Sequence, residues 1–177
     1  MTSRFKIIFS GPLGAGKSAA IAAVSDVSPV HGEGSTGGGD PARSRMDMDY
    51  GAMRLGDGST VHLYGAPGRE PLEATRDILT EGGIGLILLI DGSRDDPLAD
   101  LAQFVAGFER FIASTGLVIG VTHRDRSATP ALDAFADKLE AAGYGAVPVF
   151  EADARDRRDV SILIEALLSL IDPVARA

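Results

Sequence analysis

Phe5-Lys6-Ile7-Ile8-Phe9-Ser10-Gly11-Pro12-Leu13-Gly14-Ala15-Gly16-Lys17-Ser18 is an apolar run that breaks into glycine and ends on a basic residue and a hydroxyl. Gly11 to Ser18 fits G-x-x-x-x-G-K-[ST], the phosphate-binding P-loop spacing. The residue types match the chemistry. Glycines let backbone N–H groups turn inward around an anion. Lys17 is expected against the β- and γ-phosphates of a nucleotide, and the Ser18 hydroxyl on Mg²⁺. The alanine-rich stretch Ala19–Ala23 predicts a helix whose positive end faces the same charge. A chance glycine-rich turn would not need a strand before it and a helix after it.

Outward from this loop the chain alternates short apolar runs with longer amphipathic ones. Strand candidates are Phe5–Phe9, Val61–Tyr64, Ile84–Ile90, Leu117–Val121 and Val147–Phe150. Continuous apolar runs of this length suit strands covered on both faces. Helical spacing joins Leu98, Leu101, Val105, Phe108 and Ile112 in one stretch, Leu132, Phe135 and Leu139 in a second, and Val160, Ile164, Leu167 and Ile171 in a third. Such alternation predicts an α/β fold: a mostly parallel six-stranded sheet with helices on both faces. Met46–Leu55 breaks the pattern, running through Gly56-Asp57-Gly58 into Thr60–Tyr64 with no room for a helix. Asp-Gly between two strand-like runs is a hairpin signal, so one edge strand should be antiparallel. Ser28–Arg45 is rich in glycine and nearly devoid of apolar residues. It reads as a solvent loop or as a switch ordered only by ligand.

Composition bounds the rest. At 177 residues the length predicts one domain over 1–177. Without cysteine there is no disulfide framework, thiolate zinc site or cysteine nucleophile. The formal charge of −8 argues against a nucleic-acid clamp. No apolar run approaches the roughly 20 residues of a membrane span, and Met1–Lys6 does not read as a signal peptide. The expectation is a cytoplasmic protein with no direct membrane insertion.

The element order is P-loop, helix, long loop, hairpin, then Gly65-Ala66-Pro67-Gly68-Arg69-Glu70. It resembles the Ras-like small GTPases, and more narrowly the bacterial group related to the gliding-motility and conservon GTPases. The landmarks are the P-loop, Met48-Asp49-Tyr50-Gly51, Pro67-Gly68 and Asp153-Ala154-Arg155-Asp156. The resemblance implies GTP/GDP and Mg²⁺ as ligands, lined by Gly11, Leu13, Gly14, Ala15, Gly16, Lys17, Ser18 and Ala19. It implies that the Gly68 amide meets the γ-phosphate. Gly65 stands where the family carries its magnesium-binding aspartate, and Arg69 where it carries the water-orienting glutamine. Arg69 is therefore the candidate catalytic residue, offering charge to the transition state. Arg45 falls at the first-switch threonine with Ser44 beside it, and Ser44 is a second candidate for Mg²⁺. Leu13 is bulky where attacking water would be organised, so intrinsic hydrolysis is expected to be slow or absent.

For the base, Thr122-His123-Arg124-Asp125 stands against the family's N-K-x-D. Asp125 could accept from guanine N1 and N2, Thr122 keeps one hydrogen-bonding oxygen, and His123 can cover the base plane. Asp153, Ala154 and Arg155 stand where the family has S-A-K. The expected function is a GTP/GDP switch read by a protein effector or a regulator, roadblock-type by resemblance. A pseudo-GTPase scaffold is the alternative, followed by a P-loop ATPase or kinase with Asp91 at the metal. Otherwise Asp91 simply caps the loop after its strand.

Overall fold

The computed structural model describes residues 4–30, 48–67, 73–126 and 129–171. Its strands are β1 (Arg4–Ser10), β2 (Asp49–Arg54), β3 (Thr60–Gly65), β4 (Gly85–Asp91), β5 (Gly116–Thr122) and β6 (Val149–Glu151). Its helices are α1 (Lys17–Val24), α2 (Glu73–Thr80), α3 (Pro97–Gly107), α4 (Glu109–Ser114), α5 (Leu132–Ala141) and α6 (Arg157–Ile171). The strands form one sheet in the order β2-β3-β1-β4-β5-β6. All neighbours are parallel except β2 and β3, which pair antiparallel through the hairpin.

Alternate side chains of the central strands feed two cores. Ile7, Phe9, Ile87, Leu89 and Val118 meet Ile21 and Val24 of α1 and Leu163 and Leu167 of α6. Ile8, Leu86, Leu88, Ile90 and Ile119 meet Leu101 and Phe104 of α3 and Phe135 of α5. Burial on both faces explains why β4 reads as unbroken aliphatic sequence. Among the described residues no helix is long and apolar enough to cross a membrane.

Two elements depart from the sequence reading. The apolar spacing from Leu98 to Ile112 predicts one helix, but the chain makes two. Gly107, a poor helix former by about 1 kcal/mol, ends α3. Phe108 leaves helical geometry at φ −114°, ψ 16° and is buried in the second core. The last strand starts at Val149 rather than Val147. The Val147 amide turns back to the Gly145 carbonyl, and Pro148 has no N–H to donate.

β2 is an edge strand, and its outer side is closed by the chain that leaves α1. Tyr50 exchanges backbone hydrogen bonds with Val30 at 3.0 and 2.9 Å. The Asp26 amide donates to the Ala52 carbonyl at 2.7 Å, and the Ala52 and Arg54 amides donate to Ser25 Oγ and the Asp26 carboxylate. Arg157 at the start of α6 holds the other Asp26 oxygen at 3.0 Å. Val30 is thus the last described residue of the long loop; its remainder, with Ser44 and Arg45, lies outside the described residues.

Because β3 and β4 lie on opposite sides of β1, the winding reverses there. A crevice at the carboxyl ends of the strands follows from that reversal. The β1–α1, β5–α5 and β6–α6 loops all open at that end.

Candidate functional site

The β1–α1 loop is shaped by backbone that only glycine tolerates. Gly11 has φ +143°, and a Cβ there would collide with the Leu89 carbonyl. Gly16 has φ +104°, and a Cβ there would lie 2.6 Å from the Ala154 methyl. Gly16 is also the N-cap of α1, with no side chain capping it and no acidic residue in the first turn. By contrast α3 is capped by Asp96, whose carboxylate accepts from the Ala99 amide at 2.9 Å. No side chain of α1 itself therefore offsets the positive end of the helix.

Lys17 is buried, at 8% exposure, with its ammonium donating to the Gly11 and Pro12 carbonyls at 2.8 Å each. Burial pushes its pKa down to about 8, and the nearby Asp49 carboxylate works against that shift. Ser18 Oγ donates to Asp49 Oδ2 on β2. Leu13 stands at the loop crest, 73% exposed. Ala15 is fully buried, and Ala19 lines the hollow beside the loop.

Two further loops are joined to this one. Thr122, 1% exposed, donates its hydroxyl proton to the Ala15 carbonyl at 2.9 Å, with the Ile90 carbonyl 3.3 Å away. That oxygen therefore serves the glycine loop. His123 has φ +56°, and its Nε2 lies 3.1 Å from the Gly14 carbonyl. A carbonyl only accepts, so Nε2 carries the proton. Ala154 is buried against Gly16. Asp153 takes three hydrogen bonds from Arg155, one from its amide and two from its guanidinium, which hold the Asp153 carboxyl down at about 2. The Asp153 amide in turn donates to Asp159 at 2.8 Å. Arg124 pairs with Glu151 at 2.8 Å.

The three loops enclose a hollow of about 670 Å³. Gly14, Gly16, Ala19, Thr122, His123, Asp125, Asp153, Ala154 and Arg155 all reach its wall. Asp125 is exposed, on the single turn Arg124–Arg126. A hollow of about 640 Å³ at the opposite end of the sheet has no charged residue on its wall among the described residues.

Asp91 is engaged locally. Its Oδ1 accepts from the Ser93 amide at 2.9 Å and the Ser93 hydroxyl at 2.6 Å, the loop-capping role. Gly68 and Arg69 lie outside the described residues, as does Ser44. Asp49 is the residue that sequence reasoning missed. Its signal was the pairing of the hairpin: register counted back from Gly56–Gly58 sets Asp49 opposite Gly65, on the α1 side of the sheet.

No protein-family model matches the chain, and no curated protein matches it.

Proposed function

We propose that this chain binds a guanine nucleotide with magnesium as a Ras-like P-loop protein, and works as a GTP/GDP switch with slow or partner-assisted hydrolysis. The observation that carries the reading is the joining of three loops at one sheet end, through Thr122 to Ala15, His123 to Gly14 and Ala154 to Gly16. One loop has the shape and open helix end that suit phosphates, and the other two border a hollow that suits a base.

The residues divide the task. Lys17 would exchange two neutral carbonyl acceptors for phosphate oxygens, a stronger charge-assisted pairing. The first amides of α1 would meet the same anion. Asp125 offers two acceptor oxygens at the wall, matched to the adjacent N–H groups of guanine; adenine has no such pair. The oxygen chemistry of Ser18 and Asp49 fits a hard divalent cation. Magnesium, when bound, would neutralise phosphate charge. Slow turnover follows from Leu13 at the crest and from the lack of a glutamine after Gly68.

Equilibrium binding of fluorescent GDP, GTP, ADP and ATP, with and without Mg²⁺, tests the reading. A guanine preference of about 100-fold, about 2.7 kcal/mol, is expected. Equal or tighter ATP binding refutes the guanine assignment. No nucleotide binding at all refutes the whole reading. Tight GTP binding without turnover, even with a partner, would make the chain a nucleotide-holding scaffold.

A further inference from the structure

We propose that Asp153 is a positioning residue for base selectivity: by gripping Arg155 it keeps that guanidinium off Asp125, whose carboxylate stays open to the base. The inference rests on the guanine-site reading above and adds to it a residue that never touches the base.

The observation is how charge is sorted around the hollow. Among the described residues, four carboxylates reach its wall, Asp125, Glu151, Asp153 and Asp159, with two arginines, Arg124 and Arg155. Arg124 donates from Nη1 to Glu151 at 2.8 Å. Arg155 donates from Nε and Nη2 to the two oxygens of Asp153 at 2.9 and 2.8 Å, a bidentate grip. The Arg155 amide adds a third bond to Asp153 at 2.9 Å, and Asp159 accepts from the Asp153 amide at 2.8 Å. Among the described residues Asp125 is the one carboxylate of the four without a hydrogen-bond partner. Two cations share its wall, and other acids hold both.

Arg155 is the cation that could change partners. Its side chain is 78% exposed, against 24% for Arg124, so packing does little to orient it and Asp153 does most. The hydrogen bonds to Asp153 raise the Arg155 pKa most, and the Asp125 charge adds to them, so Asp125 already attracts this guanidinium. Released from Asp153, Arg155 would turn to Asp125, and guanine would have to displace it. The chemistry of the base sets the direction. Guanine offers Asp125 two adjacent N–H groups, whereas xanthine carries a carbonyl in place of the amino group. An open Asp125 favours guanine and repels xanthine. Covered by a guanidinium, it loses both effects.

The test is competition of GDP, XDP and ADP against fluorescent GDP on the full chain and on Asp153→Asn, with thermal melting to check the fold. The exchange removes the charge and keeps the size, while the position-153 amide and the packing of Ala154 on Gly16 still hold the loop backbone. GDP affinity should fall about two- to fivefold, the range of exposed ion pairs, with XDP not weakened and ADP unchanged. In an Arg155→Gln background the same exchange at 153 should leave the GDP-to-XDP ratio where it was. An unchanged ratio in Asp153→Asn, or equal loss for all three nucleotides, overturns the proposal and leaves Asp125 as the reader of the base. A ratio that falls as far without Arg155 as with it also overturns the proposal. A parent chain with no preference for guanine overturns both it and the base-site reading.

Discussion

Replacing Thr122 by valine removes one hydroxyl and keeps the volume almost constant. The side chain is 1% exposed, and its proton goes to the Ala15 carbonyl at 2.9 Å. The valine methyl takes the hydroxyl's place, so the Ala15 carbonyl loses its side-chain partner while still buried. An orphaned buried acceptor costs about 1–3 kcal/mol. For a chain of this size that corresponds to a fall in Tm of about 2–12 °C. Calorimetric unfolding of the nucleotide-free chain measures it. Thr122→Ser keeps the donor and loses only a methyl, worth about 0.8 kcal/mol. The two variants should separate most clearly in GDP affinity, since only Thr122→Val releases the glycine loop from β5. If Thr122→Val melts and binds GDP like the parent chain, the tether from β5 to the loop carries no energy and the argument for a joined site fails.

Gly16→Ala places a methyl 2.6 Å from Ala154 at φ +104°, a strain of about 1–3 kcal/mol; urea unfolding should show the loss, and adding Ala154→Gly should recover its steric part. Burial lowers the Lys17 pKa to about 8, so between about 8 and the unfolded value near 10.4 the unfolded chain holds one proton more than the folded one. Stability should therefore rise with pH in that window. Phosphate binding calls for the charged lysine, so GDP affinity should fall by about tenfold per pH unit above about 8; a flat calorimetric profile would contradict the burial argument. Asp125→Asn should weaken GDP by about 1–3 kcal/mol and leave ADP nearly unchanged, and equal loss for both in competition binding would remove this loop from base recognition.

The legible parts of the fold are those whose physics is local. β4 and β5 are buried on both faces and read as aliphatic runs bounded by polar residues. The hairpin announced itself through Asp57-Gly58, and Gly58 does take φ +85°. The glycine loop was readable because its spacing encodes backbone conformation. What escaped depends on partners distant in sequence. Nothing near Phe108 says that its ring gains more from the second core than from continuing α3. Nothing near Asp49 says that its oxygen meets Ser18, because 30 intervening residues and a strand register decide it. The sequence shows that Thr122 carries a hydrogen-bonding oxygen, but nothing near it says that its proton goes to a carbonyl 107 positions away. Asp91 showed the opposite case, since its partner Ser93 lies two residues on and the loop-capping reading was available from sequence.

The packing of Ala154 on Gly16, with the ties from Thr122 and His123, has a consequence for partial ligands. Pyrophosphate and a nucleoside would each occupy one end of the site, yet each end is braced by the other. Coupling of this kind is reciprocal. Pyrophosphate on the glycine loop should tighten guanosine by the same factor by which guanosine tightens pyrophosphate, and the intact nucleotide should bind more strongly than its two halves account for separately. On the proposed function, base identity and phosphate occupancy would then be linked through one coupling free energy.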